Sequence, residues 1–459
     1  MFLSCLDSEF HLFYRQHLSR RKIMKKFIIT FNIFLALGSF FLDNNFLAWN
    51  GYLIYLFQFS INLSILIKLL NFRAIYLFLP SLFSYLFVSI NLILGGYLTP
   101  RGFGFFKRYA EDVTLIKDYN LFTPYILLCL AIFYYLSLFS IPRLNKIKIK
   151  IPTKTNINYV TVSLYAISLF LGLPFGVQLG FLIIILHCFD KKNKAFKMYF
   201  YVSLLALCLI FYSFDKRNII VVLFLILLFE GLEYKNYFKF KALTLVKLFS
   251  IPVLFIFLVI LASIKRGYGN FDDTRITSGI KNTIEYSKSD YFVDAITDNL
   301  ELNYNYGATF VALDYVNKGV IDYQYGLTLI KPLFFLVSRD FFPDKPQSFM
   351  HLYTQKYQYE QWLNGSSLPV ILPVDLYGNF HYLGLVVLFF IYKILDQMYA
   401  YILKNRKMTF KMYACVFFVI THLLFIRGGG LDLYILYFLF ALPGYVITEI
   451  GLIKYANQG

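Results

Sequence analysis

Charge is what this sequence has least of. Asp, Glu, Lys and Arg make up 15% of its 459 residues, against about 25% in a soluble domain. Apolar residues supply 59%. Together these proportions exclude a string of ordinary soluble domains. Cysteine is equally uninformative as a framework. Cys129, Cys188, Cys208 and Cys415 fall in apolar runs and Cys5 in the N-terminal tail, with no CxxC and no Cys/His spacing. Disulfides and structural zinc are not expected. The apolar run after Lys25-Lys26 lacks a small-x-small cleavage site and reads as a first spanning helix rather than a removable signal. The abundance of Phe, Tyr, Ile, Asn and Lys fits AT-rich coding and is given no functional weight.

What the chain does have is long apolar runs, each near the 17–25 residues that cross a bilayer. Twelve helices are expected, at about 27–42, 46–70, 74–98, 121–141, 158–174, 176–190, 197–213, 218–233, 245–264, 380–403, 410–426 and 431–453. The fifth and sixth meet at a Gly-Leu-Pro-Phe-Gly turn. Reading them as one broken element would invert everything downstream. The net charge of +18 decides between these options once the charges are placed. Basic clusters PRLNKIKIKIPTK (142–154), KKNKAFK (191–197), KNYFKFK (235–241) and KNRKMTFK (404–411) carry three to five Lys/Arg and no acid. With RRKIMKK inside and twelve helices, each cluster falls on the cytoplasmic side, as the positive-inside rule requires. The same placement removes the case for nucleic acid.

One gap differs. Residues 265–379 hold ten Lys/Arg and thirteen of the 26 acids. They are expected to form a large outer loop folded onto the membrane, with short helices at 277–287 and 306–317. The fold class is therefore an all-α polytopic membrane protein with about twelve transmembrane helices and one large folded periplasmic loop. Helices one to nine occupy 1–264, the loop 265–379 and helices ten to twelve 380–459.

Three arginines sit where that rule leaves cations scarce. Arg217 begins the eighth helix, Arg266 ends the ninth and Arg427 lies between the last two, all at outer helix ends and the latter two beside glycine. A single arginine there is ordinarily snorkelling to headgroups. Three point to an anion, because guanidinium matches phosphate bidentately and neighbouring glycines allow close backbone approach.

Two loop stretches and these arginines resemble the Wzy-type O-antigen polymerases, also called oligosaccharide repeat unit polymerases. SRDFFPDKPQSF (338–349) is similar to the family's Arg-aromatic-Pro-Asp/Asn-Lys-Pro pattern, and SSLPVILPVDLYGNFHYLG (366–384) to its Glu-Leu-Tyr-x-Asn-Phe-Gly entry into the next helix. Two positions depart from the pattern: Asp375 stands for Glu, and His381 for Gly. The resemblance implies transfer of a growing glycan from undecaprenyl diphosphate onto a new lipid-linked repeat unit. The reaction takes place at the periplasmic face of the bacterial inner membrane, with both termini cytoplasmic and no cofactor or metal. A polysaccharide chain-length regulator is a possible partner. Rival readings are an O-antigen ligase, a lipid-linked oligosaccharide flippase, and a transferase using polyprenyl-phosphate sugars. The last usually has a large first outer loop, whereas here that gap is about DNNF (43–46).

This chemistry needs cations for a diphosphate leaving group and a base for the acceptor hydroxyl. Arg266 and Arg427, then Arg217, are the diphosphate candidates. Arg339 and Lys345 are candidates for diphosphate or glycan contact, or for loop salt bridges with Asp340 and Asp344. Base candidates are Asp375, His381, His351, Asp272 and Asp273. His381 has the better intrinsic range, and Asp375 is alternatively a helix cap. His422 is either a phosphate-orienting group or a hydrogen-bonded helix histidine. Tyr377 and Asn379 belong to the second motif and are expected at the substrate. Tyr357, Tyr359 and Trp362 are candidates to stack on sugars, or members of an interfacial aromatic belt. Lys393 and Asp396, about one turn apart, are expected to pair.

Overall fold

The computed structural model describes residues 26–69, 78–103, 107–146, 302–334, 345–404 and 410–426, with isolated positions beside them. Every regular element among the described residues is helical. Beside single helical turns such as Leu327–Ile330, they are α1 (Lys26–Ser39), α2 (Asn44–Leu69), α3 (Pro80–Leu98), α4 (Lys107–Thr114), α5 (Tyr119–Lys146), α6 (Leu302–Asn317), α7 (Phe349–Tyr357), α8 (Tyr359–Leu363), α9 (Leu372–Phe380), α10 (Gly384–Lys404) and α11 (Phe410–Phe425). Four apolar stretches are long enough to cross a membrane: Asn44–Ile67, Pro80–Arg101, Tyr119–Leu144 and Leu372–Lys404. The expected helices between 158 and 264, and the short helix at 277–287, lie outside the described residues apart from Glu285. Of the last expected helix only scattered positions are described.

Local chemistry starts these helices where they start. The turn between α1 and α2 is short because Asp43 caps α2, its carboxylate accepting from the Phe46 amide at 3.0 Å. That satisfies one of the orphan donors of a helix N-terminus. Leu79 is extended and Pro80 opens α3, the arrangement that proline's fixed φ favours and its ring imposes on the residue before it. Ser348 caps α7 by accepting from His351 N.

Polar side chains tie the apolar helices together. Gln58 of α2 donates to Asn32 Oδ1 of α1 at 2.7 Å and to Leu127 O of α5 at 3.2 Å. Asn32 in turn donates to Asn62 Oδ1, and Tyr134 OH reaches Asn62 O at 2.7 Å. In an apolar bundle each such bond stabilises by roughly 0.6–2 kcal/mol. The pairings also fix directions. Tyr382 bonds Leu121 O while Ser140 bonds Asp396, so α5 and α10 run parallel. Ring pairs Tyr52–Tyr97 and Phe59–Tyr85 make α2 and α3 antiparallel.

Two expectations change. The helix foreseen at 306–317 runs over Leu302–Asn317 and is part of the bundle rather than laid on its surface. Tyr306, Phe310 and Leu313 are buried, Asn305 donates to Asn91 Oδ1 of α3 at 3.1 Å, and the Tyr306 ring lies against Gly96. The missing side chain at Gly307 makes room for Tyr109 of α4. Lys393 and Asp396 do not pair. The helix turns Asp396 into the bundle, where the Ser81 amide and the Ser140 hydroxyl donate to it. The exposed Lys393 instead lies over Phe389 and Phe390, 5.8 and 6.0 Å from their centroids.

Gly307 and Gly51 predict opposite outcomes for the same change. An added Cβ at Gly307 meets the Tyr109 ring at 2.6 Å, whereas at Gly51 it meets nothing within 4 Å. Gly307→Ala is expected to destabilise by about 1–3 kcal/mol, and Gly51→Ala, where a methyl group meets no neighbour, to be neutral or stabilising by up to about 1 kcal/mol. Thermal unfolding of the full chain in detergent measures both.

Candidate functional site

The two stretches that carry the family resemblance fold against each other. Phe349, last residue of the first, is buried, and its ring occupies the space a side chain at Gly378 would fill. Gly378 lies in the second stretch, in α9, and its carbonyl accepts from Gln324 N at 3.0 Å. A further tie joins Leu368 N to Thr354 Oγ1 of α7 at 2.7 Å. The loop is thereby fastened to the entry of the span that follows it.

That entry is broken. α9 ends at Phe380, and His381 takes φ 53° and ψ −138° before the chain resumes as α10. A side chain disfavours this region, which is mostly glycine's. His381 thus holds a glycine-like conformation with a side chain in place. A cleft of about 430 Å³ opens at the break, lined by Tyr323, Tyr325, Asn379, Phe380, His381 and Leu383. Tyr325 also has positive φ, 47°. Among the described residues these are the two non-glycines with positive φ, and both line this cleft. Each such residue costs about 1–3 kcal/mol, and strain of this kind collects where a site must be held in one shape.

The histidine is held from one side. Tyr377 OH and His381 Nε2 are 2.9 Å apart, and the ring packs against Tyr377, Tyr382 and Tyr323, with centroids 4.6, 4.9 and 5.4 Å away. Nδ1 has no hydrogen-bond partner among the described residues. If Nε2 carries the hydrogen and donates to Tyr377, Nδ1 keeps its lone pair for a cleft ligand. Tyr377 is itself fixed by edge contact with Tyr125 at 4.9 Å, whose hydroxyl donates to Pro373 O at 2.6 Å. Burial pushes the Tyr323 phenol above its ordinary pKa, so it remains a neutral donor.

Asn379 borders the cleft but is buried, and its polar atoms are already paired. Its amide donates to Thr328 Oγ1 at 2.7 Å, to Asp375 O at 2.8 Å and to Asp375 Oδ1 at 3.0 Å. Thr328 Oγ1 lies 2.9 Å from Asn379 Oδ1. Asp375, one of the base candidates, is buried behind this pair and does not line the cleft. Its carboxylate sits one layer back and fixes Asn379. Tyr377 likewise acts on His381 rather than on the cleft.

The other expected residues separate. Trp362, on α8, donates from Nε1 to His351 Nε2 at 2.6 Å and stacks with Tyr359; neither ring lines the cleft. Tyr357 is buried, its hydroxyl donating to Asp112 Oδ2 at 2.6 Å. Lys345 Nζ donates to Val337 O at 3.1 Å, a loop contact. His422 is buried between Ser84 Oγ, 3.0 Å from Nε2, and Tyr434 OH, 3.2 Å from Nδ1, which is the helix-histidine alternative. Arg217, Arg266, Arg339, Arg427, Asp272 and Asp273 lie outside the described residues. Gly428, beside Arg427 in sequence, packs against Pro369 and Val370 in the segment entering α9.

Sequence reasoning missed Tyr323 and Tyr325 of the cleft, and, away from it, the exposed cation Arg101. The tyrosines carry no motif. Arg101 had a signal, a cation beside glycine just past an apolar run. It follows α3, donates to Tyr97 O at 2.7 Å and lies 4.2 Å from the Tyr97 ring centroid.

No family model, no curated protein and no solved structure matches this chain.

His381 gives the sharpest test of this geometry. His381→Gly removes the backbone strain, so its stability is expected to equal or exceed that of the native chain despite the lost bond to Tyr377. His381→Ala keeps the strain and loses the bond, and is expected to be about 1–2 kcal/mol less stable. Denaturation midpoints of the two variants distinguish strain from ordinary packing.

Proposed function

We propose that this chain is a membrane glycosyltransferase that polymerises a surface polysaccharide. It moves a growing glycan from undecaprenyl diphosphate onto a new lipid-linked repeat unit at the outer face of the bacterial inner membrane. The observation that carries the reading is the strained aromatic cleft at His381, set at the head of an apolar span and inside the stretch that resembles the polymerase motif. Aromatic faces beside an imidazole suit a sugar, whose apolar face stacks on rings while a hydroxyl bonds to His381.

In the reaction the acceptor hydroxyl oxygen forms a bond to the anomeric carbon of the donor as that carbon's bond to the diphosphate oxygen breaks. The proton passes to His381 Nδ1, and the bonding pair leaves with the diphosphate. Tyr377 holds the imidazole in the accepting tautomer, an orienting role general bases commonly need. Arg266, Arg427 and Arg217 meet the charge that develops on the leaving group, where stabilisation acts on the transition state more than on the ground state. Each charged hydrogen bond contributes about 1.5–3 kcal/mol, roughly tenfold or more in rate.

The parallel run of α5 and α10 supports this topology. If both cross the membrane, an odd number of crossings separates them, and five is the number the sequence leads one to expect between them. A ligase would share the leaving-group chemistry but use a different acceptor. Deleting the gene separates the two: a polymerase null leaves single repeat units on the surface lipid, a ligase null leaves none.

Arg266→Ala or Arg427→Ala is expected to abolish long glycan at unchanged protein level, with Lys at either position restoring only part of it. Glycan ladders from cells carrying each variant report this, and an unchanged ladder removes the arginine from the site. His381→Ala is expected to slow polymerisation by purified full chain at least tenfold, without a loss of lipid-linked substrate binding. Equal rates would take His381 out of the chemistry.

A further inference from the structure

Asp396 lies eight residues before the end of α10, about 12 Å along the helix. Its carboxyl is buried where α3, α5 and α10 meet. Oδ1 accepts from Ser81 N at 3.1 Å, and Oδ2 is 2.7 Å from both Ser81 Oγ and Ser140 Oγ. Ser81 Oγ is also 3.0 Å from Ser137 Oγ, and Ser137 Oγ is 2.8 Å from Phe133 O. The oxygen-to-oxygen contacts therefore number four: Oδ2 with Ser140, Oδ2 with Ser81, Ser81 with Ser137, and Ser137 with Phe133 O. Three hydroxyls supply three hydrogens. With an ionised carboxylate one contact must place two lone pairs face to face. One further hydrogen, on Oδ2, completes the chain: Ser140 donates to Oδ2, Oδ2–H to Ser81, Ser81 to Ser137 and Ser137 to Phe133 O.

We propose that Asp396 is a proton-binding site inside the membrane, a neutral carboxylic acid whose hydrogen latches α3, α5 and α10 together. No cation offers an alternative among the described residues. On α10, Lys393 faces outward over Phe389 and Phe390, and on α5 Arg143, one turn beyond Ser140, is exposed. The titratable groups nearby are Tyr392 on α10 and, across Ser84 of α3, His422 on α11 with Tyr434. None forms an ion pair with Asp396. Losing the proton to alkaline solution restores the lone-pair conflict and a buried negative charge at once, and the three helices part.

Infrared difference spectra of the full chain in detergent test this directly. At neutral pH the native chain is expected to show a carboxylic-acid carbonyl band that Asp396→Asn removes and that fades as the pH is raised. Ser140→Ala, which takes one hydrogen bond from the acid, is expected to move the same band to higher frequency, so the assignment survives if the Asn variant does not accumulate. In thermal melts Asp396→Asn, still a neutral donor, is expected to keep its Tm at alkaline pH where the native chain loses stability. Absence of any band sensitive to either substitution shows an ionised carboxylate and overturns the proposal. So does a native Tm that is level across the same pH range.

Discussion

Water is absent from the interior of a bilayer, so a polar atom carried into an apolar bundle is satisfied by the protein itself or not at all. The described helices are organised around that demand. Asn32, Gln58 and Asn62 close a cluster across α1 and α2 that reaches α5 through Leu127 O. Ser81, Ser137, Ser140 and Asp396 join α3, α5 and α10. Ser84, His422 and Tyr434 continue the same polar column toward α11. Apolar contact alone would allow these helices to slide and rotate; the polar pairs set depth and facing. The cleft inherits its precision from them, because α5 and α10 are pinned at one end by Asp396 and at the other by Tyr382 on Leu121 O.

The candidate cleft appears where that regularity stops. The apolar length from Leu372 to Lys404 is sufficient for a single span, yet it is interrupted at His381. Tyrosine rings take over the support that a continuous helix would give. Tyr125, Tyr377 and Tyr382 brace one another by edge contacts of 4.9–6.0 Å, an arrangement each pair of which is worth about 0.5–1.5 kcal/mol beyond area burial. This support is enough to hold one residue in an unfavourable backbone conformation.

Much of the bundle was legible in the sequence because hydropathy and length are strong signals. The runs at 46–70, 74–98, 121–141 and 410–426 reappear as α2, α3, α5 and α11 with ends shifted by a few residues. Less legible was anything decided by tertiary contact. α4, KRYAEDVT, is too polar and short to register as an element. The loop segment of α6 gave a helix but no sign that Asn305 and Tyr306 would enter the bundle. The break at His381 hid because histidine in that place carries no turn signal. The carboxylate of Asp375 looked available in the motif and is spent on Asn379. The spacing of Lys393 and Asp396 suited a pair, but one faces outward and the other inward.

Phe349 resting on Gly378 has an evolutionary corollary. One of these residues opens α7 and the other lies in α9, nearly thirty positions later. Any bulk gained at 378 has to be surrendered at 349, so relatives of this chain should vary at the two positions jointly, large with small. The two helices would then drift as a matched set even while the sequence between them diverges freely.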